Sequence, residues 1–255
     1  MKRKLTTIAV LLLTGIIFSG CASQQELAFK SVEGKTHSAV TPVPRTDEKT
    51  ARWWNPRHNA VNERLQKGNV DMLHIGDSIT HGWENTGKEI WNTYYAPRNA
   101  VNMGFSGDRT QHLLWRLDHS DFENISPKLA IVMIGTNNSK RKDNTAQEIA
   151  DGIIATCQRL RTRLPNTKIL LLAIFPRNPE PSAQREKNAE ASLLASRIAD
   201  GKTIYYMDIN KKFLTDDGTL TKEIMPDFLH PNKTGYKIWA EAIESKIAEL
   251  MGEEK

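Results

Sequence analysis

From about residue 51 onward, short apolar runs alternate with longer amphipathic stretches, the pattern of a parallel sheet covered by helices on both faces. Apolar runs at 70–75, 100–103, 129–134, 168–175 and 203–209 are the strand candidates. Helical periodicity places amphipathic helices at 56–67, 145–164, 181–200 and 234–251. The helix at 145–164 carries Ile149, Ile153, Ile154, Cys157, Leu160 and Leu164 on one stripe. Thr145 and Glu148 have the spacing of a capping box at its start. The order predicts an α/β fold, a three-layer doubly wound five-stranded parallel sheet of flavodoxin-like type. In such folds ligand sites gather at the carboxyl ends of the strands.

The first fifth of the chain has no such pattern. Lys2, Arg3 and Lys4 precede an apolar run from Leu5 to Phe18, which gives way to Ser19, Gly20 and Cys21. A basic head, a short apolar stretch and a small-residue site read as a secretory signal over 1–20. The run has 14 residues, short of the ~20 that span a bilayer. Phe18-Ser19-Gly20-Cys21 resembles the lipobox of bacterial lipoproteins, which implies an acylated Cys21, membrane attachment and export to the cell envelope or periplasm. An ordinary signal peptide with release of the protein is the alternative. Residues 22–50 are polar, include Pro42 and Pro44, and are expected to be a flexible tether, leaving 51–255 as one domain.

Loss of the three leader cations takes the formal charge from +5 to +2, so the basic balance gives no argument for a nucleic-acid partner. Apart from Cys21 the chain has only Cys157, read as a buried structural thiol, and no intramolecular disulfide is expected.

Four short motifs fall at strand ends or in the last loop. Gly76-Asp77-Ser78 follows the first strand, where a serine on a tight strand-to-helix turn can hold its hydroxyl clear of the sheet; helix capping is the plainer reading. Asn102-Met103-Gly104-Phe105-Ser106-Gly107-Asp108 ends the second strand, with glycines that let backbone approach a ligand. Ser106 is a rival nucleophile, but it lacks the glycine spacing of a nucleophile elbow. Gly135-Thr136-Asn137-Asn138 ends the third strand and offers a side-chain amide donor. In Asp227-Phe228-Leu229-His230 the carboxylate can reach back to the imidazole, fixing its tautomer. The histidines lack metal-ligand spacing, so neither a metal nor any other cofactor is implied.

In combination these blocks resemble the SGNH (GDSL-type) hydrolase superfamily. Residues 110–117 and Phe175-Pro176-Arg177 extend the likeness to the catalytic subunits of intracellular platelet-activating-factor acetylhydrolase, over about 53–250. Ile79 and Asn138 depart from common family residues at positions without a catalytic group. The resemblance implies a serine esterase with Ser78 as nucleophile, His230 as base and Asp227 as orienter. It also implies an oxyanion hole formed by the backbone N–H groups of Ser78 and Gly104 and the Asn137 amide. The substrate class implied is a small acyl, chiefly acetyl, ester on carbohydrate or short-chain lipid. Dimeric family members leave a homodimer open. A non-catalytic binding lipoprotein that keeps the fold would be expected to show a damaged triad, and none is evident.

The aromatics His81, Trp83, Trp91, Tyr94 and Tyr95 follow the nucleophile and either line a substrate cleft or pack the core. Arg177 either contacts substrate or makes a surface ion pair. Trp53 and Trp54 are expected to cover the edge of the core.

Overall fold

The computed structural model describes residues 23–140 and 142–253. The expected leader and Cys21 therefore lie outside the described residues. Five parallel strands form one sheet: β1 (Met72–Gly76), β2 (Ala100–Gly104), β3 (Leu129–Met133), β4 (Lys168–Leu172) and β5 (Ile204–Met207). Their order, β2-β1-β3-β4-β5, puts β1 between β2 and β3. The helices are α1 (Gln24–Lys30), α2 (Glu48–Gln66), α3 (Ser78–His81), α4 (Lys88–Tyr94), α5 (Thr110–Asp118), α6 (Ala146–Arg163), α7 (Ala183–Ser196) and α8 (Lys233–Met251).

The side-chain alternation of the strands divides the core into two layers. Leu73 and Ile75 of β1 point to a cluster with Trp54 and Leu65 of α2, Leu113 and Leu117 of α5, Ile153 and Cys157 of α6, and Ala191 of α7. Met72 of β1 points the other way, to Trp239, Ile243 and Ile247 of α8. Burial pushes the Cys157 thiol up to about 12, in keeping with an inert structural thiol. The Thr145 capping box forms as its spacing predicts, with Thr145 Oγ1 accepting from Glu148 N–H and Glu148 Oε2 from Thr145 N–H.

Two expectations need correction. α2 begins not at Pro56 but at Glu48, capped by Asp47, whose side chain accepts from Thr50 N–H. The helix runs through Pro56 because Arg52, which loses its intrahelical donor, is exposed to water.

The described part of 22–50 is not a flexible tether but folds on the domain. Ser23 caps α1, and Gln25 donates to Ile198 O at 2.9 Å. Ala28, Val32 and Ala39 are buried, and Lys35 pairs with Asp151 at 2.6 Å. Thr110 Oγ1 donates to Ala39 O, Val43 N–H to Gln111 O and Arg45 Nη1 to Gly107 O. The few apolar residues of this stretch have no period, and its attachments are mostly polar.

β1 also carries an anomaly. His74 is fully buried among Trp83, Trp91, Tyr95 and Trp239, and both ring nitrogens lack a partner among the described residues. Burial pushes its pKa down from 6.5 to about 3. The folded chain keeps this imidazole neutral while the unfolded chain binds a proton below 6.5, so its contribution to stability is lost as pH falls through that window. His74→Leu removes both unpaired nitrogens at similar volume. Thermal unfolding is expected to show a Tm at or above wild type near neutrality and an advantage that widens from about pH 6.5 to about pH 5. A constant offset across that range would contradict the assignment.

Candidate active site

The carboxyl ends of β1, β2 and β3 and the loop before α8 converge on one face. Asp77 breaks β1 and caps α3, its Oδ1 accepting from Ile79 N–H at 3.0 Å. This turn lifts Ser78 to the first position of α3, partly exposed above a buried Asp77. Tyr236 of α8 ties the turn down, its hydroxyl donating to Ile79 O at 2.7 Å.

The histidine arrives from a separate loop. Phe228 adopts a left-handed backbone, φ 57°, and its carbonyl accepts from Asn178 N–H at 2.9 Å. Asn232 closes the loop, capping α8 through Gly235 N–H and donating to Glu223 O at 2.8 Å. Ser78 Oγ lies 2.8 Å from His230 Nε2, and His230 Nδ1 lies 2.6 Å from Asp227 Oδ2. Asp227 Oδ1 accepts from the N–H groups of Leu229 and His230 at 3.0 and 2.7 Å. Partial burial works against ionisation of Asp227, but the bonds from His230 and Leu229 outweigh it and hold the carboxyl below its ordinary range. Both Asp227 and His230 keep substantial exposure, so their Coulomb attraction is weakened by water. The backbone donors fix the Asp227 carboxylate, and its bond to Nδ1 in turn orients the His230 ring.

The remaining candidate residues divide. Asn137 is partly exposed at the end of β3 and donates through Nδ2 to Asp108 O at 2.9 Å, which leaves its second amide proton available. Gly104 does not fit the expected donor role. Its N–H is committed to Asn102 Oδ1 at 2.8 Å, and its absent side chain makes room for α3, since a Cβ there would sit 2.2 Å from His81 N. Gly107, three residues on, is exposed with φ 77° and lines a cavity with Asn137. The pairing of Gly107 with Asp108 was visible in the sequence; which glycine N–H was already engaged was not.

Trp83 offers no exposed surface beside Ser78. It is fully buried between His74, Tyr95, Tyr236 and Trp239, because the aromatics after Ser78 fill the space under α8. Arg177 does reach the strand ends and makes no surface ion pair among the described residues. Its Nη1 donates to Thr136 O and Oγ1 at 3.2 and 3.1 Å, and its charge acts on Asp77 and Asp227. Ser106, the rival hydroxyl, lies 2.9 Å from His81 Nδ1 and not beside His230.

Residues whose role in the site was not legible from sequence hold this frame. Asp108 is buried, taking Arg116 Nε at 2.7 Å and Trp54 Nε1 at 2.8 Å on its carboxylate.

A scan of family models matches residues 74–238 to the GDSL-like lipase/acylhydrolase family. The chain belongs to the GDSL-like lipase/acylhydrolase family. It is 34% identical over 222 residues to platelet-activating factor acetylhydrolase IB subunit alpha2 of Homo sapiens, covering 87% of this chain and 95% of that one. Its fold is similar to that of a GDSL-like lipase from Bacteroides thetaiotaomicron, with TM-score 0.58 and 20% identity, covering 78% of this chain and 97% of the other. It is also similar in fold to an acetylxylan esterase from Geobacillus stearothermophilus, with TM-score 0.55 and 19% identity, over 73% and 96% of the two chains. This protein is a carboxylic ester hydrolase of that family.

Within this GDSL-type site, Asp77 has a titration of its own. Burial pushes its carboxyl from 3.8 up to about 7, against the Ile79 N–H bond and the charges of His230 and Arg177, with Asp108 adding to the rise. Between those two values the folded state holds a proton that the unfolded state has lost, so this group costs stability as pH rises through the window. Asp77→Asn keeps the oxygen that accepts from Ile79 and removes the titration. The variant is expected to gain on wild type in Tm between about pH 4 and about pH 7. A difference that stays flat in thermal unfolding would contradict a protonated Asp77.

Proposed function

We propose that this chain is an acetylesterase that works through Ser78, His230 and Asp227 by an acyl-enzyme route. The observation that carries the reading is the unbroken chain from Ser78 Oγ through the His230 ring to Asp227, at 2.8 and 2.6 Å. Ser78 Oγ attacks the ester carbonyl while its proton passes to His230 Nε2. Asp227 remains ionised and stabilises the imidazolium through Nδ1–H. The Ser78 N–H, the free Asn137 amide proton and, in place of Gly104, the Gly107 N–H receive the oxyanion. His230 then returns its proton to the departing alkoxide, which leaves as the alcohol. A water attacks the acyl-Ser78 by the reverse path, releasing acetate and restoring the serine.

A small acyl group is favoured by the acetylhydrolase and acetylxylan esterase names of the relatives. The substrate class proposed is an acetylated carbohydrate or a short-chain lipid ester. Export and a lipid anchor on Cys21 belong to the same proposal, resting on the leader sequence alone. Since 23–50 is folded on the domain, that anchor would hold the enzyme near the membrane surface rather than on a long tether.

Hydrolysis of p-nitrophenyl esters from acetate to octanoate tests this reading. Acetate is expected to be turned over best and Ser78→Ala to be inactive throughout. Asn137→Ala is expected to lower kcat by ~10²–10³ with little change in KM, because the amide acts on charge that develops only in the transition state. An Asn137→Ala variant with unchanged kcat would remove that residue from the oxyanion hole.

A further inference from the structure

Beside Asn137 opens a cavity of about 320 Å³ whose wall is mostly polar. It is lined by Arg45, Gly107, Arg109, His112, Asn137 and Lys140. Three cations stand in this wall and, among the described residues, no carboxylate does. Arg45 donates to Gly107 O at 3.0 Å and to Thr50 Oγ1 at 3.1 Å, with Asp47 Oδ2 at 3.5 Å behind it. Arg109 pairs with Asp143 at 2.9 Å, outside the wall. Lys140 is exposed and forms no ion pair among the described residues. His112 Nδ1 accepts from Arg109 N–H at 3.1 Å, which leaves the ring proton on Nε2 as a donor.

We propose that this cavity is an anion subsite, which receives a carboxylate or phosphate carried on the alcohol half of the ester. The inference rests on the acetylesterase reading, and it deepens it. Asn137 belongs both to the cavity wall and to the expected oxyanion hole, which puts the cations of that wall next to the position the ester carbonyl would take. An acetyl group has no room for a charge, which puts the anion on the alcohol side. Arginine forks match the planar carboxylate and the phosphate oxygens, and Lys140 adds a point charge that no described residue neutralises. Asp47 and Asp143 reduce the field without lining the cavity, so the expected preference is moderate rather than absolute.

Three aryl acetates test the proposal on the whole folded protein: para-acetoxybenzoate, para-acetoxyphenyl phosphate and the neutral para-acetoxybenzamide. Each kcat/KM is divided by the ester's own hydroxide-catalysed rate. Wild type is expected to favour an anionic ester over the neutral one by about fivefold at low salt, mainly through KM, as one exposed ion pair allows. That ratio is expected to fall in Lys140→Gln, to fall further in Lys140→Glu, and to approach one for wild type near 1 M salt, where the screening length is about 3 Å. A preference for only one of the two anions supports the subsite and names its ligand. A ratio of one in wild type at low salt overturns the proposal, as does a ratio that survives both charge reversal and high salt. The salt series needs no variant, so a poorly folded substitution does not shield the idea. Hydrolysis of none of the three esters would instead remove the acetylesterase reading on which the subsite stands.

Discussion

One buried ion pair joins the parts on which the candidate active site is built. Arg116 and Asp108 are both fully buried and meet at 2.7 Å. The other arms of Arg116 donate to Met103 O, at the end of β2, and to Gly76 O, at the end of β1. Its guanidinium lies over the Phe105 ring at 3.9 Å from the centroid. Asp108 in turn takes the indole of Trp54 and, through its carbonyl, the Asn137 amide. The turn that carries Ser78 and the amide that faces it are thus referred to the same two charges. Charges this deep are costly to place and costlier to orphan. Removal of one partner from such a pair typically destabilises by ~3–5 kcal/mol. The pair is better understood as fixing geometry than as a source of net stability.

The parallel register explains why such a frame is needed. Gly76 lies opposite both Gly104 and Met133, so three strands end level with one another. The loops that leave them each supply one element: Ser78, the Gly107–Asp108 turn and Asn137. The histidine comes from elsewhere, on a loop fixed by a left-handed Phe228 and the Asn232 cap. A site assembled this way depends on rigid strand ends and leaves the loops free to differ. The N-terminal stretch adds to this support, since Arg45 holds the carbonyl of Gly107.

Much of this was legible from residue order. The buried strands are continuous apolar runs, α6 announces itself by its stripe and capping box, and the Asp227-to-His230 spacing suits the bond that forms. What was hidden depends on contacts distant in sequence. Gly104 and Gly107 look alike along the chain, and only the commitment of one N–H to Asn102 tells them apart. Trp83 follows Ser78 closely, but its direction is set by α8, more than a hundred residues away. Residues 23–50 carry too few apolar positions to show a period, and their partners, such as Asp151 and Gln111, come from elements far along the chain. Asp108 and Arg116 read as ordinary charged residues until the fold buries both.

The central claim is that Ser78, and not Ser106, is the nucleophile. Treatment of the folded protein with a fluorophosphonate, followed by peptide mass mapping, tests it most directly. The account predicts a single adduct, on the peptide that contains Ser78. An adduct on Ser106, or none on a protein that hydrolyses esters, would contradict it.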